Sequence, residues 1–257
     1  MDREHLGRHH ARIKEIRRAF RDGTLTEDGL MAIEGPRMIK EALRSGLEII
    51  ECIQREGEHL ELPPGVRQHI VASGVMDGLA LTQSSQGVVA LLRPPRFSLE
   101  EMLRCEDPLV VVLCGLQDPG NVGTIIRLGE AFGATGCVTT PRTIGPYNDK
   151  MVRATVGSLF RLPNIWNANL DDVRRALEGR GVRLVGAGPD GSVPIDRYDF
   201  RAPTAILLGN ESRGLDQAER AACDTILRIA QAGQVDSLNA ATAAAVILYE
   251  AARQRWS

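Results

Sequence analysis

Short apolar runs alternate with segments of helical periodicity through the second half of the chain, and this alternation restricts the possible folds most strongly. The runs are continuously apolar, which is typical of parallel strands covered on both faces by helices. The strand-like runs are residues 109–113, 136–139, 183–187, 205–208 and 225–229, and the helical patterns are residues 122–132, 150–160, 170–177 and 238–253. We therefore predict an α/β fold with a doubly wound, mostly parallel sheet.

A proline pair separates this pattern from a different one before it. Pro94 and Pro95 disfavour both a helix and a central strand, so we place a domain boundary between residues 97 and 98. Residues 1–97 carry a helical pattern at 33–45 and strand-like runs at 49–53 and 87–92. These elements predict a small α/β domain in front of a larger domain of residues 98–257.

The amino terminus is basic. The first 21 residues contain seven arginines or lysines against three acidic residues, although the whole chain has a net charge of -2. Because guanidinium groups match the geometry of phosphate, we predict a basic arm that contacts phosphate groups. The alternative explanation, favoured for any single arginine, is the solvated face of a helix.

Histidine and cysteine positions limit the chemistry of the larger domain. All five histidines lie within the first 69 residues, and the five cysteines never show Cys-x-x-Cys spacing. Neither a disulfide framework nor a metal site is therefore indicated, and the larger domain has no imidazole base. Since no apolar run could span a bilayer and no signal peptide is recognisable, we expect a cytoplasmic protein.

Three polar loops directly follow apolar runs of the larger domain. Ligands of an open parallel sheet bind at the carboxyl ends of its strands, so these loops are candidate binding sites. Their polar and glycine residues are Asp118, Asn121 and Arg127 in the first loop, Gly209, Glu211 and Gly214 in the second, and Ser237 and Asn239 in the third. Each loop can also be an ordinary turn with a helix cap, which would be Asn121 in the first, Asn210 or Ser212 in the second, and Asp236 or Ser237 in the third.

The order and spacing of these loops resemble a known family. The motifs Asn121-x-Gly123-x-x-x-Arg127, Gly209-Asn-Glu211-x-x-Gly214 and Ser237-Leu-Asn239 are similar to those of the SpoU/TrmH family of RNA ribose 2′-O-methyltransferases, within the SPOUT superfamily. The resemblance extends from residue 107 to residue 257. Residues 33–37 and 86–88 resemble, less specifically, the L30e-like substrate-binding domain that often precedes it.

The resemblance implies a deep trefoil knot, a homodimer and an S-adenosylmethionine cofactor bound by the knot loops. The cofactor-binding residues carried over are Leu208, Gly209, Gly214, Ile229 and Leu238, and those of the reaction centre are Asn121, Arg127, Glu211, Ser237 and Asn239. Arg127 would bind an RNA phosphate and stabilise the developing alkoxide. The resemblance also leaves Arg127 open as the group that accepts the proton, and Glu211 is the second candidate for that role. The chain departs from the family at Ala230-Gln231, where Pro-Met is usual, and at Ala240-Ala241, where Val-Ser is usual.

Ribosomal RNA is the substrate that the two-domain layout favours, and transfer RNA is the alternative. A non-catalytic RNA-binding or ribosome assembly protein is a second hypothesis, which a methyl-transfer assay would separate from the first. A nucleotide-dependent dehydrogenase is a third hypothesis. The absence of a Gly-x-Gly-x-x-Gly motif in the sequence argues against it.

Overall fold

The computed structural model describes residues 4–79, 85–233 and 237–256. The chain divides into two compact units. The first unit runs to Arg96 and includes the segment Gly145–Phe160, whereas the second contains Phe97–Ile144 and the chain from Arg161 onward. Residues 145–160 belong to the larger domain by the boundary predicted from the sequence, but this segment packs with the first unit, where Gly157 lies against Glu41.

The chain up to Arg96 forms a five-stranded sheet and three helices. These elements are β1 (Glu4–His5), α1 (Ala11–Asp22), β2 (Met31–Glu34), α2 (Pro36–Arg44), β3 (Ile49–Arg55), β4 (Arg67–Val71), α3 (Ser73–Asp77) and β5 (Val88–Leu92). The strand order is β1-β4-β3-β5-β2, with β5 antiparallel to both of its neighbours. The predicted helix at residues 33–45 starts later, because Ile33 and Glu34 end β2 and Gly35, at φ +96°, separates that strand from α2.

The basic amino-terminal segment is not a free arm. Its residues from Ala11 onward form α1, whose Ile13, Ile16 and Phe20 are buried in the core of the first unit. Arg12 lies 2.6 Å from a Glu51 carboxylate oxygen and also pairs with Glu15 and Asp28. From Ala11 onward the basic segment is therefore a folded amphipathic helix that buries its apolar face, and its contact with phosphate groups stays a prediction.

From Phe97 onward the chain forms seven more strands and six helices within the described ranges. They are α4 (Leu99–Met102), β6 (Leu109–Leu113), α5 (Pro119–Ala131), β7 (Gly136–Thr139), α6 (Asp149–Thr155), β8 (Asn164–Ile165), α7 (Leu170–Glu178), β9 (Arg183–Ala187), β10 (Val193–Pro194), β11 (Thr204–Leu208), α8 (Gln217–Ala221), β12 (Thr225–Arg228) and α9 (Ala240–Arg255). The helix predicted at residues 150–160 ends at Thr155, because Val156 adopts the left-handed conformation. No helix within the described ranges is long and apolar enough to cross a membrane.

The sheet of the second unit has the strand order β10-β12-β9-β11-β6-β7-β8, and each recorded pair is parallel. Every residue of the central strands β6 and β11 is buried, as expected for strands covered on both faces. The predicted α/β fold with a mostly parallel sheet is therefore confirmed. The late strand β12 inserts between the earlier strands β9 and β10, and a Cβ on Gly191 would lie 2.5 Å from the Leu227 carbonyl carbon. The trefoil knot and the L30e-like first domain stay predictions.

Candidate active site

Three loops that carry the sequence motifs leave the carboxyl ends of parallel strands in the second unit. The first loop follows β6, the second follows its neighbour β11, and the third follows β12, which β9 separates from β11. Because all of these strands are parallel, their carboxyl ends lie at one edge of the sheet. The fold therefore brings together residues that are more than 100 positions apart in the sequence.

Glu211 is the centre of a hydrogen-bond network at this edge. Its carboxylate accepts the backbone N–H groups of Gln117 at 3.2 Å and Asp118 at 3.1 Å, and also the side-chain amides of Asn121 and Asn210. Burial raises the pKa of Glu211, but the backbone N–H groups and the Asn121 amide outweigh it, so the pKa lies below its ordinary value. A carboxylate held in this way stays ionised and is suited to orienting the loop, whereas a proton acceptor needs a higher pKa.

Asn121 connects Glu211 to the third loop. Its Nδ2 donates to Glu211 at 3.3 Å, and its Oδ1 accepts a hydrogen bond from Asn239 Nδ2 at 3.0 Å. Asn121 is available for this contact because Asp118 caps α5 and accepts the Asn121 backbone N–H at 2.8 Å. The alternative interpretation of Asn121 as a helix cap is therefore wrong.

The caps of the other two motif loops also differ from the sequence-based alternatives. Asp216 caps α8 in a reciprocal capping box with Glu219, so neither Asn210 nor Ser212 has that role. Asn239 caps α9 and accepts the N–H groups of Ala241 and Thr242, so Ser237 does not cap it. Asp236, the other cap considered for this helix, lies outside the described residues.

A pocket of about 490 Å³ lies at the same edge of the sheet. Its apolar wall includes Leu208, Ile229 and Leu238, and Gly209, Glu211, Gly214 and Ser237 also line it. This volume is within the range of pockets that bind cofactors and other small ligands. All five predicted cofactor-binding residues therefore line one pocket, together with two residues predicted for the reaction centre.

Gly209 is required by the backbone around it. A Cβ on this residue would lie 2.4 Å from the Gly214 carbonyl carbon and 2.6 Å from the Leu215 nitrogen. The turn from Asn210 to Gly214 folds back onto the strand end in a β-bridge, and only glycine permits this approach. A larger residue at position 209 would thus deform the turn as well as fill the pocket, and loss of ligand binding in such a variant would not by itself locate the ligand.

Arg127 is separate from this network. The spacing from Asn121 predicts that Arg127 lies near the start of the helix after the first loop, but Arg127 lies more than two turns into α5. Its side chain is exposed, and it has no hydrogen-bonding or ionic partner in the part of the chain that the structure describes. A guanidinium group in this state is available to a ligand from solvent.

The site also depends on residues that the sequence motifs did not assign to the cofactor pocket or to the reaction centre. Gln117 and Asp118 hold Glu211 through their backbone N–H groups, and Asn210 donates to the Gly115 carbonyl at 2.8 Å. The Asp118-Pro119 pair indicates in the sequence where α5 begins, because an aspartate followed by proline is a typical helix start. Asp190 and Arg220, paired at 2.7 Å, also line the pocket, and no sequence pattern indicated them.

The described ranges contain no cluster of side chains that could hold a metal ion. No group of three or more histidine, cysteine, aspartate or glutamate side chains there is placed to hold a metal ion. The cysteines are free thiols, and burial raises the pKa of Cys114 and of Cys137 to about 12. The polar side chains of the site carry amides, carboxylates, guanidinium groups and the hydroxyl of Ser237.

A parallel α/β unit with a cofactor-sized pocket and a convergent polar network at the carboxyl edge of its sheet has the form of an enzyme of the α/β class. Comparison with known families identifies the class more narrowly, because residues 108–249, more than half of the chain, match the model of the SpoU rRNA Methylase family. The chain belongs to this family and is a methyltransferase. The resemblance and the enzyme class predicted from the three motifs are confirmed.

Individual relatives agree with this assignment. The chain is 40% identical over 175 residues to the 23S rRNA (uridine(2479)-2′-O)-methyltransferase of Streptomyces viridochromogenes, an alignment that covers 66% of this chain and 61% of that protein. It is 27% identical to the 23S rRNA (guanosine(2553)-2′-O)-methyltransferase of Bacillus subtilis, over 93% of this chain and 94% of the relative. The fold matches the crystal structure of the SpoU methyltransferase AviRb from S. viridochromogenes in complex with AdoMet, with a TM-score of 0.86, 32% identity, and coverage of 96% and 99% of the two chains.

Proposed function

We propose that this protein transfers a methyl group from S-adenosylmethionine to a ribose 2′-hydroxyl of ribosomal RNA. The observation that carries the proposal is the hydrogen-bonded chain Glu211–Asn121–Asn239 beside the pocket at the carboxyl edge of a SpoU-family sheet. Two of the relatives are named as 23S rRNA 2′-O-methyltransferases, and AviRb was crystallised with AdoMet.

The pocket fits S-adenosylmethionine. Leu208, Ile229 and Leu238 offer an apolar surface suited to an adenine ring, and the close approach of Gly209 to Gly214 leaves backbone instead of side chains at the pocket wall. When bound, S-adenosylmethionine supplies an electrophilic sulfonium methyl group. The protein must then align a ribose hydroxyl with that methyl group and stabilise the charge that develops on the hydroxyl oxygen.

The residues of the site divide these tasks. Glu211 and Asn239 hold the Asn121 side chain from both sides, so Asn121 is positioned before substrate arrives. Ser237 is exposed at the pocket and can hydrogen-bond the ribose. Arg127, which has no partner in the described part of the chain, binds an RNA phosphate and stabilises the developing alkoxide.

A methyl-transfer assay tests this function. Purified protein is incubated with S-adenosylmethionine carrying a labelled methyl group and with deproteinised ribosomal RNA or transfer RNA, and the product nucleosides are analysed by mass spectrometry. We expect 2′-O-methylated nucleosides in ribosomal RNA only. Label in transfer RNA would favour the alternative substrate, and an absence of transfer to either RNA despite RNA binding would support a non-catalytic binding protein.

We also propose that the protein is a homodimer. Val246 and Tyr249 on α9 are exposed apolar side chains, and the Tyr249 ring packs edge-to-face on Phe132 with 6.0 Å between the ring centroids. Exposed apolar residues on one helix are suited to a symmetric contact with a second copy. Light scattering should give twice the chain mass for the wild type and the monomer mass for Tyr249→Glu. A monomeric wild type would reject the proposed dimer.

The cytoplasmic location of the protein stays a prediction.

A further inference from the structure

Arg142 lies in the loop after β7 and has an unusual backbone conformation. Its φ is +70°, in the left-handed region that residues other than glycine, asparagine and aspartate rarely adopt. Glycine or asparagine would relieve this strain at no cost to the turn. The presence of arginine at such a position therefore requires a reason that lies in its side chain.

The loop of Arg142 is fastened to the candidate site. Gln117 Nε2 donates to the Arg142 carbonyl, while the backbone N–H of Gln117 donates to Glu211. The neighbouring Thr143 Oγ1 donates to the Leu113 carbonyl at 3.1 Å and accepts the Gly115 N–H at 3.0 Å. The loop after β7 is thus joined by hydrogen bonds to β6 and to the loop after it, and the Arg142 backbone is one residue away from the Glu211 network.

The Arg142 side chain has no structural use that would explain its strained backbone. It is exposed, and it has no hydrogen-bonding or ionic partner anywhere in residues 4–79, 85–233 and 237–256. Other arginines of the second unit, such as Arg213 and Arg220, are paired with carboxylates. A fixed backbone that presents an unpaired guanidinium group at the edge of the site is suited to binding an anion.

We propose that Arg142 binds a phosphate of the RNA strand close to the nucleotide that is methylated, so that the site has a second guanidinium group besides Arg127. This inference rests on the proposed function, because it takes RNA as the substrate. An RNA strand carries a phosphate at each nucleotide. A planar guanidinium group can donate two parallel hydrogen bonds to one such phosphate. The backbone of Arg142 is held in place by Gln117 and Thr143. The contact between Arg142 and the phosphate therefore fixes the position of the RNA strand relative to Glu211.

Three variants test the role of Arg142. Arg142→Gly removes the guanidinium group and permits the observed φ, Arg142→Lys keeps the charge but loses the planar fork, and Arg183→Ala is the matched control. Arg183 is exposed and has no side-chain partner in the described ranges, but it begins β9 and so lies at the amino-terminal edge of the sheet. The measurements are filter binding to 23S rRNA transcribed in vitro at several salt concentrations, calorimetric titration with S-adenosylmethionine, and the melting temperature.

We expect Arg142→Gly to weaken RNA binding by about 10-fold and to reduce the slope of log affinity against log salt by about one. Its affinity for S-adenosylmethionine and its melting temperature should not fall. Arg142→Lys should retain part of the RNA affinity, and Arg183→Ala should match the wild type. If Arg142→Gly binds RNA as the wild type does, or if Arg183→Ala loses as much affinity, the proposal is wrong. Failure of the wild type to methylate RNA would instead reject the proposed function, independently of the comparison among these variants.

Discussion

Asn239 and Asn121 are 118 positions apart in the sequence, and Asn239 Nδ2 donates a hydrogen bond to Asn121 Oδ1 at 3.0 Å. Asn239 makes this contact while its Oδ1 caps α9, so one side chain both starts a helix and positions a site residue. The two tasks use different atoms of the same amide. They can therefore be separated by a substitution that changes only one of these atoms.

Asn239→Asp should retain the helix cap and lose the contact with Asn121. Aspartate accepts the N–H groups of Ala241 and Thr242 as asparagine does, but it cannot donate to Asn121. We expect unchanged unfolding free energy and a single-turnover methylation rate at least about 10-fold lower. Asn239→Ala is the comparison, because it should also lose about 1 kcal/mol of stability. Equal rates for the wild type and Asn239→Asp would show that the contact with Asn121 does not matter for catalysis.

Glu211→Gln should separate the charge of the carboxylate from its shape. Glutamine has one acceptor oxygen where Glu211 uses two, so a backbone N–H of Gln117 or Asp118 loses its partner, which costs about 2 kcal/mol of unfolding free energy. Because the pKa of Glu211 is lowered in the folded protein, its contribution is present above the ordinary carboxyl pKa and is lost as the pH falls through the lowered value.

The stability difference between the wild type and Glu211→Gln should therefore be constant from pH 8 to about pH 5 and should shrink only below about pH 4, where glutamate ordinarily titrates. Chemical unfolding at several pH values measures it. A difference that instead grows as the pH falls from 7 to 5 would mean that the pKa of Glu211 is raised, and the role of proton acceptor would then return to Glu211.

The sequence predicted the parallel sheet and the identity of the motif loops well, for physical reasons. Strands such as β6 and β11 are buried on both faces, and burial requires the continuous apolar runs that were recognised. The short strands β1, β8 and β10 have two residues each, which is too few for any periodicity to be visible. Their pairing is decided by neighbouring strands and not by their own residues.

The details of the site could not be predicted because they depend on competition between neighbouring side chains. Asp118 and Asn121 are both good helix caps, and only the structure shows that Asp118 has this role and leaves Asn121 available to Glu211. In the same way, a count of basic residues cannot show that Arg12 is paired with Glu51 across the sheet of the first unit. Pairing of this kind is a tertiary property.

Substitutions in α1 and at Arg8 just before it should distinguish RNA binding from folding in the basic segment. Arg12→Ala would remove the closest cationic partner of the buried Glu51, but Arg67 remains 3.0 Å from this carboxylate, so we expect a loss of about 2 kcal/mol in unfolding free energy. Arg8 and Lys14 are exposed and have no side-chain partner in the described ranges, so replacing both with alanine should not change stability. If this segment contacts RNA, the double variant should bind RNA less tightly, with a smaller salt slope. Unchanged RNA affinity and salt slope would leave α1 with a purely structural role.

Arg127→Ala should reduce catalysis without affecting the fold. The exposed side chain has no partner within the described part of the chain, so its removal should change the unfolding free energy by no more than about 0.5 kcal/mol. If Arg127 stabilises the developing alkoxide, the single-turnover rate should fall by about 100-fold or more, as expected when one preorganised donor is lost. Affinity for S-adenosylmethionine should persist, because Arg127 does not line the pocket. Arg127→Lys should recover little of the rate, since an ammonium group cannot donate two parallel hydrogen bonds to a phosphate. A near wild-type rate for Arg127→Ala would remove this residue from the mechanism and leave the neutral reaction-centre residues Asn121, Ser237 and Asn239 as the candidates for stabilising the alkoxide.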